Sequence, residues 1–271
     1  MTKPYAEVIG DPISHSKSPK IHGFWLNALG IEAEYRATHV TPDALPAYFA
    51  ERKHDPDWRG CNITVPHKVE ALAHVEDRGD VRTTIGAINT VIRAEDGALV
   101  GTNTDAGGFY APIAGLDLDG KHAVVIGAGG AARAILFALS KVGIGRVTLL
   151  NRNVLKGAAL LSGFGIKGEA LPLAAKLPPA ALLVNASPLG MVGQPPLAID
   201  LSPLPEDAVV YDAVYAPLET GLLAQARDRE LDTVDGLEML VGQAALAFEL
   251  FFGAEPPRDR DMELRELLLT S

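Results

Sequence analysis

Lys68 is the residue whose surroundings most clearly indicate chemistry. It closes the run Asn62-Ile63-Thr64-Val65-Pro66-His67-Lys68, in which β-branched residues predict a strand and Pro66 predicts the first position of a helix. This interpretation places Lys68 in the first helical turn, where the partial positive charge of the helix N-terminus disfavours a cation. A lysine there with a depressed pKa would suit proton transfer near neutral pH. The alternative is a solvated surface lysine in an ordinary strand–helix turn.

A glycine-rich run gives the second chemical signal, Gly127-Ala128-Gly129-Gly130-Ala131-Ala132. It matches the dinucleotide pattern G-x-G-x-x-G/A and lies between a buried strand predicted over 122–126 and a helix predicted to about Val142. The first glycine allows a tight turn, the second admits a pyrophosphate, and the small Ala132 permits close packing of helix on sheet. The phosphates would then lie at the helix N-terminus. The run therefore predicts a dinucleotide-binding domain.

The end of the next predicted strand, over 146–150, indicates which dinucleotide is bound. A site for NAD normally has an acidic residue there, which accepts a hydrogen bond from the ribose 2′-hydroxyl. This chain has Asn151-Arg152-Asn153 instead, and Lys156 follows soon after. The planar guanidinium of Arg152 matches a 2′-phosphate, so the sequence favours NADP. A surface arginine after a strand is the alternative.

Three polar clusters occur at predicted strand ends, at positions 14–18, 87–90 and 102–105. Ligands of open α/β sheets bind outside the carboxyl ends of the strands, and hydroxyl and amide groups gathered there suit a small polyhydroxylated ligand. Ser16 and Ser18 precede a helix N-terminus, which favours a carboxylate, although plain capping by Ser18 can hold at the same time. For Asn89 and Asp105 the alternative is turn chemistry.

The elements that must position these groups alternate between strands and helices. Strands are predicted at 6–9, 34–40, 61–65, 88–92, 122–126, 146–150, 181–184 and 209–213. One helix is predicted with Ser18 as N-cap, Pro19 as its first residue and Gly30 as its stop. Such alternation predicts an α/β protein with mainly parallel sheets.

The segment 238–252 is apolar nearly all round, so it is predicted to form a buried helix. Gln243 lies within it, and a buried amide must find partners in a ligand or in the backbone. The helix follows the second α/β unit but is predicted to pack back on the first. The predicted domains are therefore 1–104 plus 238–271, which is discontinuous, and 105–237.

Composition limits the remaining possibilities for this chain. Its 271 residues suggest one large or two medium domains, and a net charge of −10 makes nucleic acid an unexpected partner. The single Cys61 fits a reducing cytoplasm. The N-terminus lacks the apolar core of a signal peptide, and no apolar run is long enough to predict a membrane span. No cluster has metal-ligand spacing, so no metal is expected.

Together, these motifs resemble the shikimate dehydrogenase family. The matching segments span nearly the whole chain in family order: 10–19 (GDPISHSKSP), 60–68 (GCNITVPHK), 86–91 (GAINTV), 103–106 (NTDA), 127–133 (GAGGAAR), 185–191 (NASPLGM), 235–240 (DGLEML) and 243–244 (QA). The resemblance implies an N-terminal substrate domain with a mainly parallel sheet, a Rossmann-type NADP-binding domain, and an active site in the cleft between them. It also implies reduction of 3-dehydroshikimate to shikimate with NADPH, a step in making aromatic amino acids.

Residue roles follow from the resemblance, motif by motif. Lys68 and Asp105 would be the catalytic pair, with Lys68 supplying a proton to the reacting oxygen. Ser16 and Ser18 would bind the substrate carboxylate. Further substrate contacts would come from Asn62, Thr64, Asn89, Tyr215 and Gln243, beside Lys68 and Asp105. Cofactor contacts would come from Gly127, Ala128, Gly129, Gly130, Ala131, Asn151, Arg152, Lys156, Ala186, Ser187, Met191 and Gly236.

Two positions depart from the family pattern. Asn153 stands where the family often has threonine, and Gly221 stands where it has proline. The glycine is expected to loosen a turn near the nicotinamide. The expected protein is a cytoplasmic monomer or homodimer with a small-molecule substrate. The alternatives are a quinate/shikimate dehydrogenase that uses NAD and a catalytically silent NADP-binding regulator on the same fold.

Overall fold

The polar clusters of the N-terminal region lie on a five-stranded sheet. The computed structural model describes residues 3–270, and the sheet belongs to the first of two units, Met1–Asp105 with Val241–Ser271. Its strands are β1 (Tyr5–Gly10), β2 (Glu34–His39), β3 (Trp58–Ile63), β4 (Thr90–Arg93) and β5 (Leu99–Thr102). Three helices accompany them, α1 (Ser18–Leu29), α2 (Leu45–Arg52) and α3 (Val81–Thr84), with 3-10 turns at Pro42–Ala44 and Glu70–His74.

The strand directions of this first sheet decide where its functional groups lie. The order is β2-β1-β3-β4-β5, and β1 is parallel to both β2 and β3. β4 is antiparallel to β3 and to β5, so it alone runs against the other four. β4 therefore begins at the edge of the sheet where β1, β3 and β5 end. We call this the first-sheet edge.

The second unit, Ala106–Leu240, contains a six-stranded sheet. Its strands are β6 (His122–Ile126), β7 (Arg146–Leu150), β8 (Gly168–Leu171), β9 (Leu182–Asn185), β10 (Val209–Asp212) and β11 (Asp232–Val234). Their order is β11-β10-β9-β6-β7-β8, and every pairing is parallel. The helices between them are α4 (Asp105–Tyr110), which begins at the last residue of the first unit, α5 (Gly130–Lys141), α6 (Val154–Gly163) and α7 (Gly221–Asp228), with a 3-10 turn at Ala111–Ile113.

Apolar residues cover both faces of this second sheet. Along β6, Ala123 and Val125 belong to one buried cluster, whereas Val124 and Ile126 belong to another. A strand buried on both faces is a continuous apolar run, as in parallel sheets generally. The predicted α/β class and the predicted strand at 122–126 are confirmed.

The C-terminal region supplies the last two helices, α8 (Gly236–Phe252) and α9 (Asp261–Leu269), with a 3-10 turn at Arg258–Arg260. From Val241 onwards the chain is counted with the first unit. The expectation that α8 is buried all round was wrong, because Leu246 and Leu250 are 41% and 45% exposed. They lie four residues apart, on one face of the helix.

The N-terminus of α1 differs from the predicted capping. The N-cap position is Lys17, without a side-chain capping bond, and Ser18 is the buried first residue of the helix. The peptide N–H of Ser18 donates to the Ser16 hydroxyl instead, at 3.3 Å. At the other end Gly30 adopts φ 64°, which confirms the predicted stop.

The segment after β3 also differs from its prediction, because Pro66 does not start an α-helix. Residues 65–69 form turns, and the 3-10 turn Glu70–His74 follows. The carbonyl of Lys68 accepts a hydrogen bond from the peptide N–H of Ile88 at 2.7 Å rather than from a residue four positions on. The buried His67 ring bonds to the Val40 carbonyl at 2.6 Å. At Lys68 a bond to a distant segment thus replaces the helical one, and the argument from a helix dipole at Lys68 does not apply.

Candidate active site

The antiparallel course of β4 gathers polar side chains at the first-sheet edge. In the register of the sheet, Thr90 lies between Asn62 at the end of β3 and Thr102 at the end of β5. Asn89 comes just before β4, and its peptide group bonds to both neighbours: its carbonyl accepts from Ile63 at 2.7 Å, and its N–H donates to Thr102 at 3.2 Å. Two of the three predicted polar clusters, 87–90 and 102–105, therefore meet the segment 62–68 in one place.

Lys68 and Asp105 form an ion pair at this edge. The Nζ of Lys68 donates a hydrogen bond to Asp105 Oδ2. Their side chains are only 15% and 6% exposed, so the pair is shielded from most water. Asp105 is the first residue of α4, where a carboxylate is favoured by the helix N-terminus. A mostly buried ammonium is thereby held by one carboxylate, with its other N–H groups able to donate elsewhere.

The amide of Asn89 is the centre of a wider network. Its Nδ2 donates to Asp105 Oδ1 and Thr104 Oγ1, both at 2.9 Å, and lies 3.2 Å from Gln243 Oε1. Its Oδ1 accepts from the peptide N–H of Thr104 at 2.7 Å and from Thr90 Oγ1 at 3.1 Å. All of these residues are buried. The network brings together three of the predicted site residues, Asn89, Asp105 and Gln243.

Asn62 lies next to this network and is fully engaged by protein. Its Nδ2 donates to Thr90 Oγ1 at 3.0 Å and to the Asn89 carbonyl at 3.3 Å, while its Oδ1 accepts from the Tyr35 hydroxyl at 2.6 Å. Tyr35 was not among the predicted site residues. It is a buried aromatic in β2, and its ring stacks on the His22 ring with the two centroids 3.9 Å apart. One signal was available, because Tyr35 is the only large apolar residue in the strand Glu34–His39.

The predicted hydroxyl residues lie at the ends of β1 and β3. A Cβ placed on Gly10, the last residue of β1, would come within 2.6 Å of Thr64 Cγ2, so the two strand ends are in close contact. Thr64 also donates its peptide N–H to the Ile9 carbonyl at 2.9 Å. Ser16 lies between the end of β1 and α1, next to Ser18. Direct roles for these hydroxyls in binding stay predictions.

We call the edge at which the parallel strands of the second sheet end the second-sheet edge. The glycine-rich run lies there, between strand β6 and helix α5, as predicted. Gly127 has φ 106°, a conformation that favours glycine. A Cβ there would lie 3.0 Å from the Ala186 carbonyl oxygen, whereas a Cβ on Gly129 would meet nothing within 4 Å. Ala132 is fully buried, in keeping with close helix–sheet packing. The loop thus exposes backbone at Gly129, in front of the N-terminus of α5.

Arg152, Asn153 and Lys156, which follow β7, are exposed, unlike the buried Asn89 and Asp105 of the first-sheet edge. Arg152 makes no ion pair or hydrogen bond with any residue in the described range 3–270. Asn153, at the position where the family often has threonine, caps α6 by accepting a hydrogen bond from the Lys156 N–H at 3.0 Å. Asn151 donates its side-chain N–H to the Asn153 carbonyl at 2.8 Å. The geometry holds the turn while leaving the Arg152 guanidinium exposed.

The remaining predicted residues of the second unit differ in how far they are buried. Met191 is 39% exposed in the loop after β9, and burial raises the pKa of Tyr215. Gly236 has a packing reason to be glycine, because a Cβ would lie 2.5 Å from the Val214 backbone. Their contacts with a cofactor or substrate stay predictions. Among residues 3–270, no cluster of acidic, histidine or cysteine side chains could hold a metal ion. Over the same range, no helix is long and apolar enough to span a membrane.

These features define a class of protein, namely α/β proteins with a Rossmann-type glycine loop and a buried lysine–aspartate pair. Two family profiles match, the shikimate dehydrogenase substrate binding domain over residues 8–91 and the shikimate 5'-dehydrogenase C-terminal domain over residues 236–264. A shikimate dehydrogenase (NADP(+)) from Sphingopyxis alaskensis is 65% identical over 266 residues, 98% of this chain and 97% of that protein. The chain belongs to the shikimate dehydrogenase family.

Solved structures of similar proteins include two with different substrates in their names. Shikimate 5-dehydrogenase from Thermus thermophilus, in complex with NADP(H) and shikimate, is 38% identical with a TM-score of 0.85 and covers 98% of this chain and 100% of that one. Ligand-free 5-ketofructose reductase from Gluconobacter sp. strain CHM43 is 29% identical with a TM-score of 0.88, over 99% of both chains. Because one fold carries different substrates, the substrate must be argued from the site.

Proposed function

We propose that this protein catalyses the reversible NADPH-dependent reduction of 3-dehydroshikimate to shikimate, in the pathway to aromatic amino acids. The Lys68–Asp105 pair carries the proposal, because it places an ammonium group among buried amides at the first-sheet edge. Ketone reduction needs a proton donor at the oxygen, and a lysine held by a carboxylate can serve as one. The high identity to a shikimate dehydrogenase supports the choice of substrate.

The second-sheet edge supports NADP as the cofactor. Gly129 has room for a pyrophosphate, which would lie at the N-terminus of α5. The exposed Arg152, which has no acidic partner among the described residues, would hold the 2′-phosphate with its planar guanidinium. Lys156 would add a nearby positive charge. When bound, NADPH supplies the hydride.

The residues of the first-sheet edge would bind the substrate and move the proton. Ser16 and Ser18 would hold its carboxylate, as the family motif implies. Lys68 would hold a proton on Nζ against the ketone oxygen and release it as the oxygen gains negative charge. Asp105 would keep the ammonium in place, and Asn89 would keep Asp105 in place through the 2.9 Å bond. Tyr215 and Gln243 would complete the substrate contacts.

The test is a matrix of oxidation assays that follows dinucleotide reduction by absorbance. Shikimate and quinate would each be combined with NADP and NAD. We expect activity with shikimate and NADP to exceed that of every other combination. Preference for quinate or for NAD would support the alternative dehydrogenase. Binding of NADP without turnover of either substrate would support the silent regulator.

Lys68→Ala and a control variant, Lys53→Ala, separate loss of chemistry from general damage. Lys53 is an exposed lysine of the same unit, and its removal should leave all activities unchanged. The proposal also includes a cytoplasmic location and a monomer or homodimer. Fractionation of cells and light scattering of the purified protein test these two points.

A further inference from the structure

Asp212 is a buried carboxylate that the proposed reaction does not use. It is the last residue of β10 and is fully buried. Its Oδ1 accepts from Asn185 Nδ2 at 2.9 Å and from the peptide N–H of Val214 at 3.0 Å, and its Oδ2 accepts from Thr220 Oγ1 at 2.7 Å. Burial raises its pKa. Within residues 3–270 no lysine, arginine or histidine forms an ion pair with it, so three neutral donors compensate this side chain.

Through Asn185, this carboxylate fixes the loop that follows β9. The Nδ2 of Asn185 also donates to the Leu189 carbonyl at 3.0 Å. Its Oδ1 accepts from both the peptide N–H and the hydroxyl of Ser187, at 3.0 and 2.7 Å. An acceptor at position 212 decides which end of the Asn185 amide points to which partner, because a carboxylate only accepts hydrogen bonds when ionised. The shape of loop 185–191 therefore depends on Asp212.

Through Thr220, the same carboxylate fixes a second segment. The Thr220 hydroxyl donates to Asp212 and accepts from the Leu223 N–H at 3.2 Å, which caps α7. The peptide N–H of Val192 donates to the Ala216 carbonyl at 2.8 Å. Segment 213–220, which contains Tyr215, is thus tied to Val192, which directly follows Met191 at the end of loop 185–191. Gly221 starts α7 with a side-chain cap before it; that the glycine loosens this turn stays a prediction.

The strand order indicates which part of a dinucleotide these segments face. In the order β10-β9-β6-β7, the chain reverses its direction of winding between β6 and β9, and such a switch point forms the ligand crevice. Arg152 follows β7 and would hold the adenosine half, while the glycine loop follows β6 and would hold the pyrophosphate. The other half of the dinucleotide must extend past Gly127, which lies against Ala186 and Ser187, towards β9 and β10.

We propose that Asp212 is a positioning residue for the nicotinamide half of NADP, acting through Asn185 and Thr220. The inference rests on the proposed cofactor but not on the identity of the substrate. It predicts that a substitution of Asp212 weakens the cofactor contacts on the β9–β10 side and leaves the cofactor contact at Arg152 intact. A purely structural role would weaken both halves alike.

The experiment compares two ligands by calorimetric titration. NADP contains both halves, whereas adenosine 2′,5′-bisphosphate contains only the half proposed to bind at Arg152. For Asp212→Asn we expect the NADP dissociation constant to rise about tenfold, because one strong acceptor is replaced and buried donors lose partners. The constant for adenosine 2′,5′-bisphosphate should stay within about twofold, because Arg152 shares no hydrogen-bond partner with Asp212 among residues 3–270 and such sites act nearly independently. The exposed Asp207→Asn in the same unit is the control and should change neither.

Thr220 gives a second test if Asp212→Asn does not fold. Thr220→Val removes the hydroxyl at nearly constant volume and should raise the NADP constant alone, by about tenfold for the loss of one hydrogen bond to a carboxylate. Thr220→Ser keeps the hydroxyl and should restore binding. Equal weakening of both ligands, or no change for NADP, would overturn the proposal. Both measurements omit the substrate, so failure of shikimate turnover would leave this result interpretable.

Discussion

The two sheet edges hold their functional groups in opposite ways. At the first-sheet edge, Lys68, Asn89 and Asp105 are largely buried and bonded to one another. At the second-sheet edge, recognition depends on backbone at the glycine loop and on an exposed Arg152 that has no partner among the described residues. The first arrangement suits chemistry that needs fixed groups, because a proton donor must hold its position. The second suits an extended ligand that brings its own charges. The effects of a mutation should therefore extend to neighbouring residues at the first-sheet edge and stay local at the second-sheet edge.

Lys68→Ala should have the largest effect on turnover. We expect kcat to fall by at least about 10²-fold with little change in the substrate KM, the pattern of a lost transition-state interaction. Steady-state kinetics with shikimate and NADP measure both constants. A variant that keeps near-normal kcat would remove Lys68 from catalysis.

Arg152→Ala should act on the cofactor alone. We expect kcat/KM for NADP to fall by about 10–10²-fold through loss of a charge-assisted contact, while NAD is nearly unaffected because it lacks the 2′-phosphate. Both constants are measured at fixed salt, since exposed charges are screened. Equal losses for NAD and NADP would instead assign Arg152 to support of the loop.

Asn89→Ala tests the coupling of the first edge through stability. Its removal takes a hydrogen-bond partner from each of Asp105, Thr104 and Thr90 in a buried site, which should lower the free energy of unfolding by about 1–3 kcal/mol. Arg152→Ala should change that free energy by no more than about 0.5 kcal/mol, as at other exposed positions. Urea titration of both variants gives the comparison. Similar losses in the two would show that the edges do not differ as described.

His22 should make the first unit sensitive to acid. Burial lowers its pKa to about 3, whereas an unfolded histidine titrates near pH ~6.5. The unfolded state therefore binds a proton that the folded state does not bind as the pH falls from ~6.5 towards ~3. Over this range the free energy of unfolding falls by ~1.4 kcal/mol per pH unit. His22→Phe keeps a ring beside Tyr35 and should reduce this slope by that amount. The exposed His54→Gln is the control, and an unchanged slope in His22→Phe would contradict the assignment.

Gly221→Pro should have the smallest effect, and it should be stabilising. The position is the first residue of α7, where proline is favoured, and Thr220 before it has ψ 160°, which proline accepts. A Cβ at Gly221 would meet no atom within 4 Å. Because proline restricts the unfolded chain, it should raise the free energy of unfolding by about 0.4–1 kcal/mol. Thermal unfolding checks this, and a lower melting temperature would show that the segment needs the glycine.

Prediction from sequence succeeded where the pattern was local. The strands at 122–126 and 146–150 are confirmed to the residue, because strands buried on both faces consist mostly of apolar residues. The short strands β5, β8 and β11 were missed, since a segment such as β8, Gly168–Leu171, carries little apolar signal. The helix assigned to Pro66 was wrong because the Lys68 carbonyl bonds to Ile88, a partner that no local pattern reveals.

The candidate site shows the same limit more sharply. Motifs located Lys68, Asn89 and Asp105 as separate points, and only the strand register shows that they share one network. Tyr35 was missed because its role depends on a bond to Asn62, 27 residues away. A single buried aromatic in a polar strand is too common to identify such a role from sequence.

The hairpin of β4 and β5 also affects the order in which the contacts of the site form during folding. The bond between Asn89 and Asp105 closes a separation of only 16 residues, whereas the contact of Asn89 with Gln243 spans 154. Contacts between near neighbours in sequence lose less chain entropy and form sooner. During synthesis we therefore expect the amide–carboxylate pair to assemble while the ribosome is still producing the second unit. The glutamine then joins an arrangement that already exists, as its last member.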